Sequence, residues 1–130
     1  MMSRILVVLS VLTMLIAVSV ASAEVTVTSP TEGQTVGPST PITGMCSQRA
    51  FVVVITDVIL ENGEAMGSVP GIRHWTNDDN SISVRISTPR MMLGTSQKLT
   101  YIIHVKAYSS AELSTGAPDL GEAQVTCYSE

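Results

Sequence analysis

The sequence predicts an all-β fold, a two-layer sandwich of about seven antiparallel strands. In segments such as 80–87 and 99–108, apolar and polar residues alternate with a period of two, a pattern typical of strands with one buried face. Turn-forming residues separate these segments, for example Gly37-Pro38, Glu61-Asn62-Gly63 and Pro70-Gly71. After the first 23 residues no segment has the pattern of an amphipathic helix.

The strands are predicted from the alternating and β-branched segments in order. Their expected positions are 24–28, 40–47, 50–60, 66–73, 80–87, 99–108 and 121–128. Segment 50–60 is apolar on both faces and rich in β-branched residues, which favours a central strand over a helix.

Residues 1–23 have the layout of a secretory signal peptide. Arg4 precedes an apolar run at 5–20, and the small residues Ala21-Ser22-Ala23 form the expected cleavage site, so cleavage is predicted before Glu24. The alternative is an uncleaved membrane anchor, for which the run is short against the ~20 apolar residues that cross a bilayer. A cleaved signal predicts a secreted, periplasmic or cell-surface protein.

Residues 24–130 are sufficient for one domain. The net charge of the whole chain is −4, and loss of Arg4 with the leader makes it −5. Lys and Arg form no cluster, which argues against nucleic acid or an anionic membrane surface as a partner. No later apolar stretch is long enough for a membrane span.

Two cysteines, Cys46 and Cys127, suggest one disulfide in an exported chain. Both share strand parity with apolar neighbours, so both are predicted to face inward. A bond closing so long a loop would stabilise the fold by roughly 4 kcal/mol in the chain-entropy model. The alternative is two separate buried thiols acting as small apolar side chains.

A resemblance to a known family adds to this prediction. The segments "VTVTSPTEGQTV" and "TPITGMCSQRAFVVVITDVILENGEAM" resemble the opening strands of prokaryotic immunoglobulin-like domains, and "WTNDDNSISVRIS" and "YIIHVKAYSS" resemble the later ones. The resemblance implies an immunoglobulin-like Greek-key sandwich, which the strand count also fits. It implies a non-enzymatic role as an extracellular spacer, adhesion module or accessory binding module.

The cysteines depart from the antibody-type pattern, in which the second and sixth strands are bonded. Cys127 falls on the last predicted strand, and in the usual Greek key the ends of the second and last strands point to opposite poles. A disulfide needs Cα atoms within about 7 Å, so the Cys46–Cys127 bond requires a crossing in the middle of the sandwich or a different strand numbering.

Enzymatic chemistry is not predicted. His74 and His104 are the only histidines, and neither lies in a catalytic motif. No catalytic residue, cofactor or metal ligand is therefore assigned. The run Asn77-Asp78-Asp79-Asn80 has calcium-type oxygen ligands but lacks the spacing of a calcium loop, so it is interpreted as a polar turn.

The predicted interaction surface is one face of the sheet. If Phe51, Val53 and Ile55 face the core, an apolar strip faces outward and offers a surface for a protein partner or for self-association. The strip consists of Val52, Val54, Ile102, Tyr108 and Tyr128. The alternative is that segment 91–98 or 64–73 folds over it. Edge strands provide another route, through pairing with a neighbouring chain.

A second candidate surface is the loop predicted at Arg73, His74 and Trp75. An exposed tryptophan can stack on a sugar ring or anchor a peptide, so this loop is the contact of the alternative function, an accessory carbohydrate- or peptide-binding domain. The other interpretation is that Trp75 closes the end of the sandwich. Exposure of its side chain distinguishes the two.

Overall fold

The computed structural model describes residues 24–88 and 98–130, and the predicted leader at 1–23 lies outside them. The described chain contains eight strands and one short 3-10 helix at Ala111–Thr115. The strands are β1 (Val25–Ser29), β2 (Thr35–Val36), β3 (Ser39–Cys46), β4 (Phe51–Ile59), β5 (Ala65–Trp75), β6 (Ser81–Ser87), β7 (Thr100–Tyr108) and β8 (Gly121–Ser129).

The strands form two sheets. One has three strands in the order β1-β3-β6, and the other has five in the order β2-β8-β7-β4-β5. The predicted all-β, two-layer architecture is confirmed, and each of the seven predicted strands matches an observed strand to within two residues at either end. Sequence patterns did not reveal β2, which is two residues long and pairs in parallel with β8, or the 3-10 helix.

The core lies between the two sheets and consists mainly of β-branched side chains. Burying one such side chain stabilises the fold by about 1.5–3 kcal/mol, so the alternation along the strands accounts for the layering. The following core residues have no exposed surface: Val25, Ile42, Val54, Val58, Tyr101, Ile103 and Val105.

The two ends of the sandwich can be told apart by the strand register. Phe51 pairs with both Trp75 and Tyr108 at one end, and the backbone N–H of Ser47 donates to the Glu24 carbonyl there; we call this end the Trp75 pole. At the other end, the N–H of Ser129 donates to Leu99. We call this second end the C-terminal pole.

Strand β5 forms an exposed edge of the five-stranded sheet. It contains Pro70, which lacks a backbone N–H and is therefore tolerated at an edge. The pairing with β4 shifts between Val53↔Arg73 and Ile55↔Pro70, so β5 carries one extra residue there. Such a bulge bends and twists the edge strand.

Candidate binding surface

An aromatic row crosses the outer face of the five-stranded sheet at the Trp75 pole. Trp75 on β5, Phe51 on β4 and Tyr108 on β7 are direct register partners. Register partners share a face, and their side chains lie within contact distance. Tyr108 and Phe51 are buried, whereas Trp75 remains 36% exposed. The row therefore runs from a covered tyrosine to a tryptophan that is open to solvent at the sheet edge.

Two arginines lie over this row. The Phe51 and Trp75 ring centroids are 5.5 Å apart with their planes at 68°, an edge-to-face contact. The guanidinium carbon of Arg49 lies 5.5 Å from the Trp75 centroid, and that of Arg73 lies 5.5 Å from the Phe51 centroid. Both distances are within cation–π range. We call Arg49, Phe51, Arg73 and Trp75 the Trp75 cluster.

The 3-10 helix supports the inner side of the cluster. The Arg73 guanidinium (Nη2) donates to the Ser114 hydroxyl, and that hydroxyl donates to the Ala111 carbonyl at 2.7 Å. The Tyr108 hydroxyl donates to the Gly116 carbonyl at 2.9 Å. The helix and its C-cap residue Gly116 are thereby tied to Tyr108 at one end of the aromatic row and to Arg73, which is held across Phe51 in the middle of the row.

The charges of the cluster are only weakly compensated. Arg49 lies 3.2 Å from Asp78, but both side chains are exposed, and exposed pairs of this kind contribute at most about 1 kcal/mol. Among the described residues Arg73 has no carboxylate partner at ion-pair distance, and its guanidinium donates to the neutral Ser114 hydroxyl. Two cations thus face solvent on a chain whose net charge is −4.

A separate polar network occupies the middle of the same face. His104 Nε2 lies 2.9 Å from Asp57 Oδ2, and its Nδ1 lies 3.8 Å from Glu122 Oε2. The other oxygen, Glu122 Oε1, lies 3.9 Å from the Lys106 ammonium. The Ser68 hydroxyl donates to Asp57 at 2.5 Å. The Ser68 and His104 hydrogen bonds lower the pKa of Asp57 below its usual range. These groups are partnered with one another.

The predicted apolar strip is wrong for β4. Val52 and Val54 have 2% and 0% of their surface exposed and lie in the core between the sheets. Phe51, Val53 and Ile55, predicted to face inward, form a second cluster on the outer face. The parity of β4 is therefore the reverse of the one expected.

The other members of the strip do lie on the outer face but do not form an open apolar surface. Tyr108 is 1% exposed beneath the 3-10 helix, and Ile102 is half-buried. Tyr128 is 41% exposed, but it lies on β8 near the C-terminal pole. Two segments were possible covers for the strip. Residues 65–73 of the first segment, 64–73, are part of strand β5 (Ala65–Trp75), so this segment extends the sheet and does not fold over it. Residues 91–97 of the other lie outside the described residues.

Strand β4 buries the opposite face from the one expected because of a single charged residue, Asp57, which could have been identified in the sequence. Segment 50–60 is apolar on both faces, so its alternation does not indicate which side is buried. Asp57 is the one charged residue of segment 50–60, and an ionised carboxylate is strongly disfavoured in an apolar core. Phe51, Val53 and Ile55 share the parity of Asp57 and therefore accompany it to the outer face.

The segment predicted as a contact loop is instead the end of β5. Arg73, His74 and Trp75 are its last three residues, and all three side chains are exposed. Trp75 lies outside the core between the sheets and does not plug the sandwich. His74 Nδ1 lies 2.5 Å from the Trp75 carbonyl oxygen. Sequence reasoning missed Arg49, Phe51 and Ser114, since their proximity to Trp75 depends on strand register.

The predicted disulfide is not present, since Cys46 and Cys127 are free and buried. Cys127 pairs with Tyr101 on β7, whereas Cys46 lies at the pole where Phe51 pairs with Tyr108. At a rise of ~3.3 Å per residue, positions 101 and 108 are separated by roughly 20 Å along the strand, far beyond disulfide range. The alternative interpretation, two separate buried thiols, describes this structure.

The acidic run at 77–80 forms a turn closed by its own side chains. Asp79 Oδ1 accepts from the backbone N–H of Ser81 at 3.0 Å and from its hydroxyl at 2.5 Å. Asn80 has a φ of 66°, a left-handed conformation that Asn adopts more readily than most residues. In 24–88 and 98–130 no group of three or more His, Cys, Asp or Glu side chains is arranged to hold a metal ion.

Comparison with known proteins gives no family for this chain. No model of a known protein family matches the sequence, and no curated protein matches it. Across the described part of the chain there is also no helix with the length and apolar character needed to cross a membrane.

Proposed function

We propose that the chain is an exported, non-enzymatic immunoglobulin-like module that binds another protein at the Trp75 cluster, in adhesion or in the cell envelope. The leader pattern at 1–23 supports export to a secreted, periplasmic or cell-surface location. The family resemblance of the opening strands supports the immunoglobulin-like part of the proposal.

The strand order supports a Greek-key assignment. In an immunoglobulin-like scheme β1, β3 and β6 correspond to strands A, B and E, and β4, β7 and β8 correspond to C, F and G. Strand β5 then occupies the place next to C that variable-type domains fill with C′. The free cysteines depart from the antibody pattern, so the assignment rests on strand order and on the family resemblance, with no disulfide.

The observation that carries the binding role is the half-exposed Trp75 held against Phe51 with a guanidinium over its ring. Tryptophan and arginine are enriched among the residues that dominate binding energy at protein interfaces. Because these side chains are held by aromatic and helix contacts, less side-chain entropy is lost on binding.

A non-enzymatic role agrees with the partners of the two histidines. His104 lies between Asp57 and Glu122, and His74 contacts the Trp75 carbonyl through Nδ1. Neither is within hydrogen-bond reach of a hydroxyl or thiol nucleophile among the described residues, which is the geometry that covalent catalysis needs.

Carbohydrate binding at Trp75 is the second candidate, favoured by the 36% exposure of the indole. A stacked sugar needs a bare ring face, however, and Arg49 lies over the ring. We therefore place protein binding first. Isothermal titration calorimetry with neutral oligosaccharides distinguishes the two, since saturable heat of binding that is lost in Trp75→Ala supports the carbohydrate role.

The proposal can be tested by site-specific photo-cross-linking in the native compartment. A photoreactive phenylalanine analogue replaces Trp75 in one variant and Ser83, an exposed residue of the opposite sheet, in the control. We expect discrete cross-linked protein products from position 75 and none of them from position 83. The same products from both positions, or none from position 75, would contradict binding at the cluster.

A further inference from the structure

The outer edge of β5 beside the Trp75 cluster has backbone groups that point away from the sheet. The N–H of Thr76 donates to the Ala50 carbonyl at 2.9 Å, which makes this a hydrogen-bonded pair. Hydrogen-bonded and non-hydrogen-bonded pairs alternate along an antiparallel ladder. The pairs Phe51↔Trp75 and Val53↔Arg73 are therefore non-hydrogen-bonded, and the N–H and C=O groups of Arg73 and Trp75 point outward. The Trp75 carbonyl is contacted there by His74 Nδ1, and an added strand would take the place of that imidazole.

The side chains beside that edge favour a particular residue type on an added strand. A strand added next to β5 would exchange hydrogen bonds with Arg73, and its residue opposite Arg73 would share the outer face of the sheet. A side chain there lies about 5 Å, Cβ to Cβ, from that of Arg73. Opposite charges at directly facing positions stabilise a strand pair, so a carboxylate is preferred at this position.

The next outward position of such a strand lies beside Trp75. Its side chain would approach the Arg49 guanidinium over the indole ring. Because the Arg49–Asp78 pair is exposed on both sides, exchange of Asp78 for an incoming carboxylate costs little. The cluster thus fits acidic residues at alternate positions of an extended segment.

We propose that β5 binds an extended, acidic segment of another protein by strand addition, with carboxylates at alternate residues paired to Arg73 and Arg49. This inference rests on the proposed function and specifies the chemistry of the partner. The edge available is short, because Pro70 lacks an N–H and the bulge precedes Arg73. Recognition is centred on Arg73 and Trp75.

The chain's own undescribed segments do not have this chemistry. Residues 1–23 and 89–97 contain neither Asp nor Glu, so neither supplies the carboxylates that the two arginines would bind. Charge complementarity with Arg49 and Arg73 points to an acidic segment of another protein as the occupant.

The test uses short peptides of defined sequence with the full mature chain. The probe is a fluorescent hexapeptide Thr-Glu-Val-Glu-Val-Thr, and matched probes carry Lys in place of Glu or N-methyl groups on the two Glu amides. We expect saturable anisotropy with the acidic probe only. N-methylation should abolish binding, because those amides donate to the edge carbonyls.

Variants locate the contact on the chain. We expect Arg73→Gln to weaken binding by about two- to fivefold, the size expected of an exposed charge pair. Arg85→Gln, a matched change on the edge strand β6 of the other sheet, should leave the affinity unchanged. Amide hydrogen exchange should slow at Arg73 and Trp75 when the acidic probe binds. Circular dichroism of each variant confirms folding.

The outcomes separate this inference from the proposed function. Failure of the acidic probe to bind at millimolar concentration, or binding without slower exchange at Arg73 and Trp75, overturns strand addition. Cross-linking from position 75 then still decides whether the cluster binds protein. Concentration-dependent dimerisation that slows the same amides without peptide overturns the acidic partner in favour of a second copy.

Discussion

Gly71 of β5 lies so close to the backbone of β4 that a Cβ atom at Gly71 would be 2.1 Å from the Val54 carbonyl oxygen. No real Cβ makes so short a contact, and the neighbouring atom is backbone, which cannot rotate away. The close approach occurs at the bulge just before Arg73. The edge strand therefore reaches the Trp75 cluster only because residue 71 has no side chain.

The variant Gly71→Ala is expected to destabilise the fold by at least ~2 kcal/mol, because strand β5 must move away from β4. Urea unfolding followed by circular dichroism measures the change. The control is Gly116→Ala, where the nearest atom to a new Cβ is the Leu113 oxygen at 3.8 Å, an ordinary contact. Equal stability of Gly71→Ala and the wild type would contradict the close approach.

The reversed parity of β4 predicts opposite sensitivities at adjacent residues. Val54→Thr puts a hydroxyl into the core between the sheets at nearly constant volume and should cost about 1–3 kcal/mol. Ile55→Thr changes a half-buried residue of the outer face and should cost less. Chemical unfolding of both variants measures the difference. A larger loss from Ile55→Thr would restore the parity expected from sequence.

The free cysteines predict a specific alkylation pattern. Burial raises the pKa of the Cys127 thiol to about 11, with a smaller contribution from Glu32, and burial also raises the pKa of Cys46. The reactive thiolate is therefore scarce in the folded state at neutral pH. Without reductant, iodoacetamide should react slowly with the native chain and add two groups after unfolding. A denatured chain that takes up none would contain the disulfide.

The raised pKa of Cys127 also predicts the direction of a stability change with pH. The folded state holds its proton more tightly than the unfolded thiol, whose pKa is about 8.5. The stabilisation is complete below about pH 8.5 and is lost as pH rises toward about 11. The free energy of unfolding should fall more steeply over this interval in the wild type than in Cys127→Ala. Parallel curves for the two chains would contradict the raised pKa.

Asp57 predicts the opposite dependence at acid pH. The Ser68 and His104 hydrogen bonds lower its pKa in the folded state, so its contribution is present above the unfolded pKa of about 3.9 and is lost as pH falls through the folded value. Asp57→Asn should cost up to ~1 kcal/mol near pH 7, since the group is partly exposed.

The same comparison at low pH provides the check on Asp57. Urea midpoints of Asp57→Asn and the wild type should converge as the carboxyl group becomes protonated. The control is Asp78→Asn. The side chain of Asp78 is fully exposed, so this change should leave the urea midpoint unchanged near pH 7 and at low pH. A difference that persists at low pH would show that Asp57 acts through packing and not through its charge.

Strand positions were predictable because alternation and turn residues are local signals. The segment around Ile82 has a polar residue at every second position, and the segment around Ile103 has Thr100, His104 and Lys106 on its outward side, so their buried face is evident. The face of β4 was less evident, because it depends on one residue, Asp57. Strand order and register, which bring Arg49 and Arg73 to the same aromatic row, are set by long-range pairing that no local pattern records.

The candidate site was predicted only in part. Residue type predicts Trp75 and Arg73 as contacts, but the sequence places them in a loop, whereas in the structure they end strand β5. The 3-10 helix that supports them is five residues long, and a single short turn leaves no helical period in the sequence. Ser114 acquires its role from that helix and has no sequence signal of its own.

The first and last described residues of the domain lie near opposite poles, which determines how the domain responds to force and how it can be attached to a surface. Glu24 lies at the Trp75 pole and Ser129 at the C-terminal pole, so tension applied to both flanks would act along the strands. The terminal strands β1 and β8 would then be loaded in shear, which strains many ladder hydrogen bonds together. Tethering the domain by its carboxyl end would leave the arginine-bearing end facing away from the support.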